Sequence, residues 1–298
     1  MKSPEQTRTQ VYWRTTLRAI WSGLLTAFNS NKTSWVGLVL FLLVCLAAIL
    51  APMLAPYDPL EQSILYRLKP PTAEHLMGTD YYGRDTLSRL IWGARISLTI
   101  GLLAIGAAMI IGSLIGLVAG YFGGRTDIII MQTMDVLLAF PSLILGLIVV
   151  AMLGPSITNL VIAISFTAIP PFARIARAPT MAIKEREFIE AGRALGYSDL
   201  RLMLGHILPN ILPEILVMGS LWLATAIRVE ASLAFIGLGV SPPTPTWGGM
   251  IADGRNYLRD AWWISFFPGL FIFLIVLALN FIGDWLRDKL DPRLRQSS

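Results

Sequence analysis

Ser97-Leu98-Thr99-Ile100-Gly101-Leu102-Leu103-Ala104-Ile105-Gly106-Ala107-Ala108-Met109-Ile110-Ile111-Gly112-Ser113-Leu114-Ile115-Gly116-Leu117-Val118-Ala119-Gly120 carries no charged side chain. As a helix it is long enough to cross a hydrocarbon core, which takes about 17–25 residues. Five more apolar stretches are long enough: Trp35 to Ala55, Met131 to Met152, Ile157 to Ala173, Leu212 to Ile236 and Trp262 to Ile282. Pro170-Pro171 sets the expected end of the Ile157 stretch. The composition agrees: 55% of residues are hydrophobic and 14% charged, with mean hydropathy +0.63. A soluble domain carries about 25% charged residues, so lipid must be part of this chain's solvent. The expectation is an all-α membrane protein with six transmembrane helices.

Lys and Arg set the orientation. With the N-terminus inside, segments 1–34, 121–130, 174–211 and 283–298 face the cytoplasm and hold 16 basic residues. Segments 56–96, 153–156 and 237–261 face outward and hold 7. Positive charge sorts to the cytoplasmic side, so both termini are expected inside. From Val11 to Phe28, an apolar stripe with Trp13 and Trp21 is flanked by Arg14 and Arg18. That pattern predicts a helix lying on the cytoplasmic membrane surface; packing against other cytoplasmic parts is the alternative. No signal peptide is expected, because over 30 residues precede the first long apolar run.

Several chemistries find no support. Cys45 is the only cysteine, so no disulfide forms within the chain. His75 and His206 are far apart and lack metal-ligand spacing. No lysine follows a glycine, so the phosphate-binding loop of nucleotide hydrolases is missing.

Ala104, Ala108, Gly112, Gly116 and Gly120 recur every fourth residue as one ridge, where helix backbones can approach closely. The ridge suits either a partner subunit or the chain's own bundle. Asp135, Arg228 and Glu230 place charge inside apolar stretches, where facing lipid costs roughly 2.5–3.5 kcal/mol each. They either line a solute path or form buried pairs, for instance Arg228 with Asp135. The Gly- and Pro-rich 237–261 segment, with Trp247 in it and Trp262 and Trp263 after it, suits an outer interface. It either docks an extracytoplasmic protein or simply returns the chain to the membrane.

Segment 174–211 is charged yet patterned. Glu185 to Leu195 favour a helix. Gly196 stops it, Ser198 or Asp199 caps a second short helix, and Pro209 is expected to end that helix and open the next span. Phe188, Ile189, Ala191 and Leu195 offer apolar contacts for a groove on another protein.

These residues resemble the E-A-A-x3-G-x9-I-x-L-P motif of permease subunits in ABC importers, matched by Glu190, Ala191, Gly196, Leu208 and Pro209. Gly192 replaces the second alanine, and His206 stands where isoleucine is usual. A second segment, Gly78-Thr79-Asp80 through Gly83-Arg84-Asp85 and Ser88-Arg89 to Gly93-Ala94-Arg95-Ile96-Ser97-Leu98, resembles the hallmark of dipeptide, oligopeptide and nickel permeases. It is of the type that resembles their C-type subunit. Pro242 to Gly248 and Gly283 to Pro292 resemble the same family, so the likeness runs from about Asn31 to Pro292.

The resemblance implies the type I importer permease fold in a bacterial inner (plasma) membrane, with a cytoplasmic coupling-helix loop. It implies a non-catalytic subunit with no cofactor or metal of its own, and ATP and Mg on one or two separate ATPases. A second permease subunit and an extracytoplasmic solute-binding protein complete the implied assembly. Glu190, Ala191, Gly192, Leu195, Gly196, Leu208 and Pro209 would pass ATPase closure to the membrane part. Peptides are the implied substrate; nickel chelates, glutathione and opine-like conjugates are handled by relatives. A stand-alone secondary transporter or channel is the competing class. The expected divisions are residues 1–34 (tail with interfacial helix), 35–96 (first span and outer segment), 97–283 (core) and 284–298 (tail).

Overall fold

The computed structural model describes residues 32–290. The surface helix expected over Val11–Phe28 lies outside the described residues. Within them the chain is helical apart from its connecting loops and one β-bridge, Thr79 to Asp85.

Among the described residues, four helices are long and apolar enough to span: α3 (Thr86–Phe122), α6 (Ile157–Lys184), α9 (Leu208–Phe235, continuous with Asp199–Leu202) and α11 (Trp263–Leu290). A shorter apolar helix, α1 (Lys32–Ile49), precedes α2 (Ala51–Leu54). Between α3 and α6 lie α4 (Gly124–Leu138) and α5 (Ser142–Leu153), which meet at 88°. The short helices are α7 (Glu187–Ala194), α8 (Asp199–Leu202) and α10 (Trp247–Gly254).

The stretch expected as one span, Met131 to Met152, is therefore bent sharply in its middle. Pro141 has no N–H to give the carbonyl of Leu137, and it disfavours a helical conformation at Phe140. The chain turns there and α5 restarts at Ser142. The expected end at Pro170-Pro171 is wrong: α6 continues through both prolines and Pro179 to Lys184. Spanning helices tolerate proline because neighbouring helices and local adjustments re-satisfy the freed backbone groups. Pro209 does not end a helix either. A π-turn at Met203–Ile207 joins α8 to α9, with Pro209 in the first turn of α9, where its missing N–H goes unused. Helices also cross two expected divisions: α3 starts before 97 and α11 continues beyond 283.

The core is built on α3 against α6. The small-residue ridge is buried on α6 of the same chain. A Cβ at Gly112 would lie 2.6 Å from the Ile169 carbonyl oxygen, and one at Gly120 would lie 2.7 Å from that of Arg177. Ser165 Oγ donates to the Ala104 carbonyl at 3.0 Å. Residue numbers rise together along this contact, so α3 and α6 run parallel. The partner-subunit role for Ala104, Ala108, Gly112, Gly116 and Gly120 is thus corrected: α6 already fills that surface. α9 packs on α3, α6 and α11, and α1 packs on α3 and α11.

Candidate functional site

At one end of the bundle, α7 leaves α6 and presents two faces. Ile189 is fully buried, whereas Phe188 and Leu195 are 50% and 74% exposed. Glu190 and Ala191 lie on the exposed side. The helix closes by the expected chemistry. Tyr197 N–H donates to the Gly192 carbonyl and Gly196 N–H to that of Arg193, a Schellman closure. Gly196 takes φ +80°, a conformation that glycine adopts without steric penalty. Ser198 caps α8, its Oγ accepting from Arg201 N–H. Gly192 is more than a soft substitute for alanine, because a Cβ there would lie 2.9 Å from Leu202 and 3.3 Å from Tyr197. It lets α7 fold onto α8. Leu208 is half-buried and Pro209 exposed at the start of α9. His206 stacks on Tyr197 with ring centroids 5.6 Å apart, so the departure from isoleucine still packs this turn. Tyr121 Oη donates to Asp199 at 2.5 Å, which ties α8 to the end of α3. Leu200 and Leu204 are likewise exposed, 63% and 43%.

The charges within the spans separate. Arg228 lies on the exposed face of α9 and donates to Thr225 Oγ1 at 3.0 Å. The suggested Arg228–Asp135 pair does not form; Asp135 takes Arg174 of α6 at 2.6 Å, both more than half exposed. A second pair, Arg177 with Asp127, joins α6 to α4. Glu230 points the other way from Arg228 and is 1% exposed. Among the described residues neither of its oxygens has a hydrogen-bond partner within bonding geometry. Its polar neighbours are the hydroxyls of Ser97 and Thr246, whose oxygens already accept from Trp247 N–H and Gly249 N–H.

At the opposite end, residues 56–85 fold against the start of α3. Asp85 caps α3, its Oδ2 accepting from Ser88 N–H and Ser88 Oγ at 2.7 Å each, while its Oδ1 lies 3.0 Å from His75 Nδ1. Asp80 accepts from the backbone N–H of Tyr82 and Arg84 and from Arg84 Nε. Trp263 Nε1 donates to the Thr79 carbonyl and Trp247 Nε1 to that of Leu90. The Trp247-containing segment is thus locked into the bundle rather than hanging as a loop.

Residues 112–296 match the family described as binding-protein-dependent transport system inner membrane component. The chain belongs to this family. Residues 19–71 of the permease match the N-terminal TM domain of oligopeptide transport permease C. The permease is 46% identical to the di/tripeptide transport system permease protein DppC of Pseudomonas aeruginosa, over 91% of its own length and 92% of the relative's. It is 45% identical to the dipeptide transport system permease protein DppC of Escherichia coli, over 90% and 92%. In fold it is similar to a chain of the MetNI methionine ABC transporter in inward facing conformations, with TM-score 0.56 and 18% identity, covering 68% of the permease and 97% of that chain.

Arg174 with Asp135 and Arg177 with Asp127 join α6 to α4, yet the apolar pattern of the sequence gave no sign of Arg174, Asp127 or Arg177. Asp80, Arg84, Asp85 and Arg89 were visible only as motif letters. The four-residue step from Asp80 to Arg84 is the one local hint of their pairing.

Proposed function

We propose that this chain is the translocating subunit of an ATP-driven, binding-protein-dependent importer of di- or oligopeptides. It binds no cofactor itself; ATP and Mg sit on separate ATPase subunits. The observation that carries the reading is the capped α7–α8 element, which buries Ile189 and Leu202 in its own bundle and turns Phe188, Leu195, Leu200 and Leu204 outward. Apolar side chains on a rigid, protruding pair of helices suit a cleft on a moving partner. Glu190, Ala191 and Gly196 shape that surface, while Gly192, Leu208 and Pro209 hold its hinge.

The basic asymmetry puts the α7 end and both termini in the cytoplasm. The chain crosses six times, with α4 and α5 together as one bent crossing. What supports this count is the parallel course of α3 and α6, which obliges the chain between them to return. Arg228 and the Asp135–Arg174 pair stand on exposed faces of spanning helices, where lipid would cost roughly 2.5–3.5 kcal/mol per charge. We assign those faces to the aqueous path and to a second permease subunit. The α10 end receives the solute-binding protein.

Phe188→Glu combined with Leu195→Glu tests the reading. The double variant inserts normally, because no span is touched, and fails both to retain the ATPases on purification and to take up peptide. Full ATPase recovery with wild-type uptake would sink the assignment.

A further inference from the structure

The side chains of Arg84 and Arg89 are only 3% and 4% exposed, yet both line an open cleft of about 280 Å³ at the α10 end. Asp80 Oδ2 takes one edge of each, 2.6 Å from Arg84 Nε and 3.5 Å from Arg89 Nε. The Pro59 carbonyl accepts from Arg89 Nη1 at 3.2 Å. The two Nη2 groups converge on Asp253 Oδ2 but stay 3.8 and 3.9 Å from it, too far for a hydrogen bond. Arg84 Nη2 has no hydrogen-bond partner among the described residues. A buried charged donor left unsatisfied is among the costliest arrangements a protein keeps.

Tyr81 and Tyr82 pack on the Arg84 guanidinium, 5.6 and 4.7 Å from its centre, so its direction is fixed. Asp253 is more open, with the Tyr81 hydroxyl as a further neighbour. Its side chain is 30% exposed, and burial pushes its carboxyl up in spite of both guanidiniums. The rest of the wall includes Gly237, where a Cβ would meet nothing within 4 Å, which leaves room for another backbone to come close.

We propose that this cleft is a carboxylate-binding site, in which an incoming carboxylate takes the Nη2 groups of Arg84 and Arg89 and displaces Asp253 from them. Paired guanidinium N–H donors match the two oxygens of a carboxylate. The carboxylate comes either from the free end of a peptide or from an Asp or Glu side chain of the solute-binding protein. Only the naming of these two sources rests on the importer reading.

The test uses the intact permease–ATPase complex in nanodiscs, without binding protein, titrated with alanyl-alanine or its C-terminal amide and read by thermal shift. Asp253→Asn removes the competing carboxylate and leaves Asp80 in place, so it tightens carboxylate binding by about tenfold. Arg84→Gln weakens it by a similar factor. Binding of alanyl-alanine but not of the amide, tightened in Asp253→Asn, identifies the peptide end as the source. No dipeptide binding, with tighter association of the purified binding protein to Asp253→Asn than to wild type, identifies a docking side chain. If neither the dipeptide nor the binding protein distinguishes Asp253→Asn from wild type, the proposal is overturned. That result leaves the importer reading standing, since its own test lies at the opposite end of the bundle.

Discussion

Replacing Gly112 with alanine adds a single methyl group within the close α3–α6 contact. Its Cβ would lie 2.6 Å from the Ile169 carbonyl oxygen and 2.7 Å from Phe172 Cβ. Ordinary carbon contacts begin near 3.4 Å, so the helices must separate by about 0.7 Å. A gap of 0.5–1 Å forfeits about a quarter to a half of each van der Waals well it opens, and the ridge from Ala104 to Gly120 opens together. Overpacking of this kind costs about 1–3 kcal/mol, and the upper half of that range applies because the obstacles are backbone and Cβ atoms rather than a flexible chain end. At 1.4 kcal/mol per decade, 2–3 kcal/mol lowers the folded-to-unfolded ratio roughly 30- to 150-fold. Gly106→Ala is the control. It lies on the same helix with nothing within 4 Å of a new Cβ, so it is neutral or gains up to about 1 kcal/mol from helix propensity. Thermal melts in detergent, read by the surviving monodisperse fraction, compare the two. Equal melting of Gly112→Ala and Gly106→Ala would refute the packing of α3 on α6.

Gly196→Val meets no neighbour, so its effect is backbone strain alone, about 1–2 kcal/mol in the left-handed region. Insertion stays normal, uptake falls sharply, and Gly196→Asn restores most of it because asparagine tolerates that conformation; normal uptake in the valine variant would remove the coupling role. Arg177→Met strands Asp127 in its partly buried site and destabilises the chain by about 2–3 kcal/mol, and Asp127→Asn in the same chain recovers part of the loss in detergent melts. In a Cys45→Ala background, cysteines placed at Ser3 or Ser297 resist membrane-impermeant reagents in intact cells. Labelling from outside would overturn the six-crossing orientation.

The hydropathy pattern alone located α3, α9 and α11, because a lipid solvent admits few charges over a span's length. It failed at Pro141 and at Pro170-Pro171 in opposite directions, since both stretches show proline in an apolar run. Whether a proline breaks a helix depends on what its neighbours supply to the freed carbonyl, and that is a tertiary fact. The turn between α7 and α8 was legible down to Gly196 and Ser198 because helix caps are local chemistry. Gly192 was not, because its reason for lacking a side chain is Leu202 across the turn.

Membrane residence, helical class and the loop's caps are thus fixed by neighbours within a few residues along the chain, and the sequence determines them by itself. The choice of α6 as the ridge's partner, the pairing of Asp135 with Arg174 rather than Arg228, and the convergence of Arg84 and Arg89 on one cleft were decided only in three dimensions. Each joins residues on different helices or loops, and a one-dimensional pattern carries no distance between them.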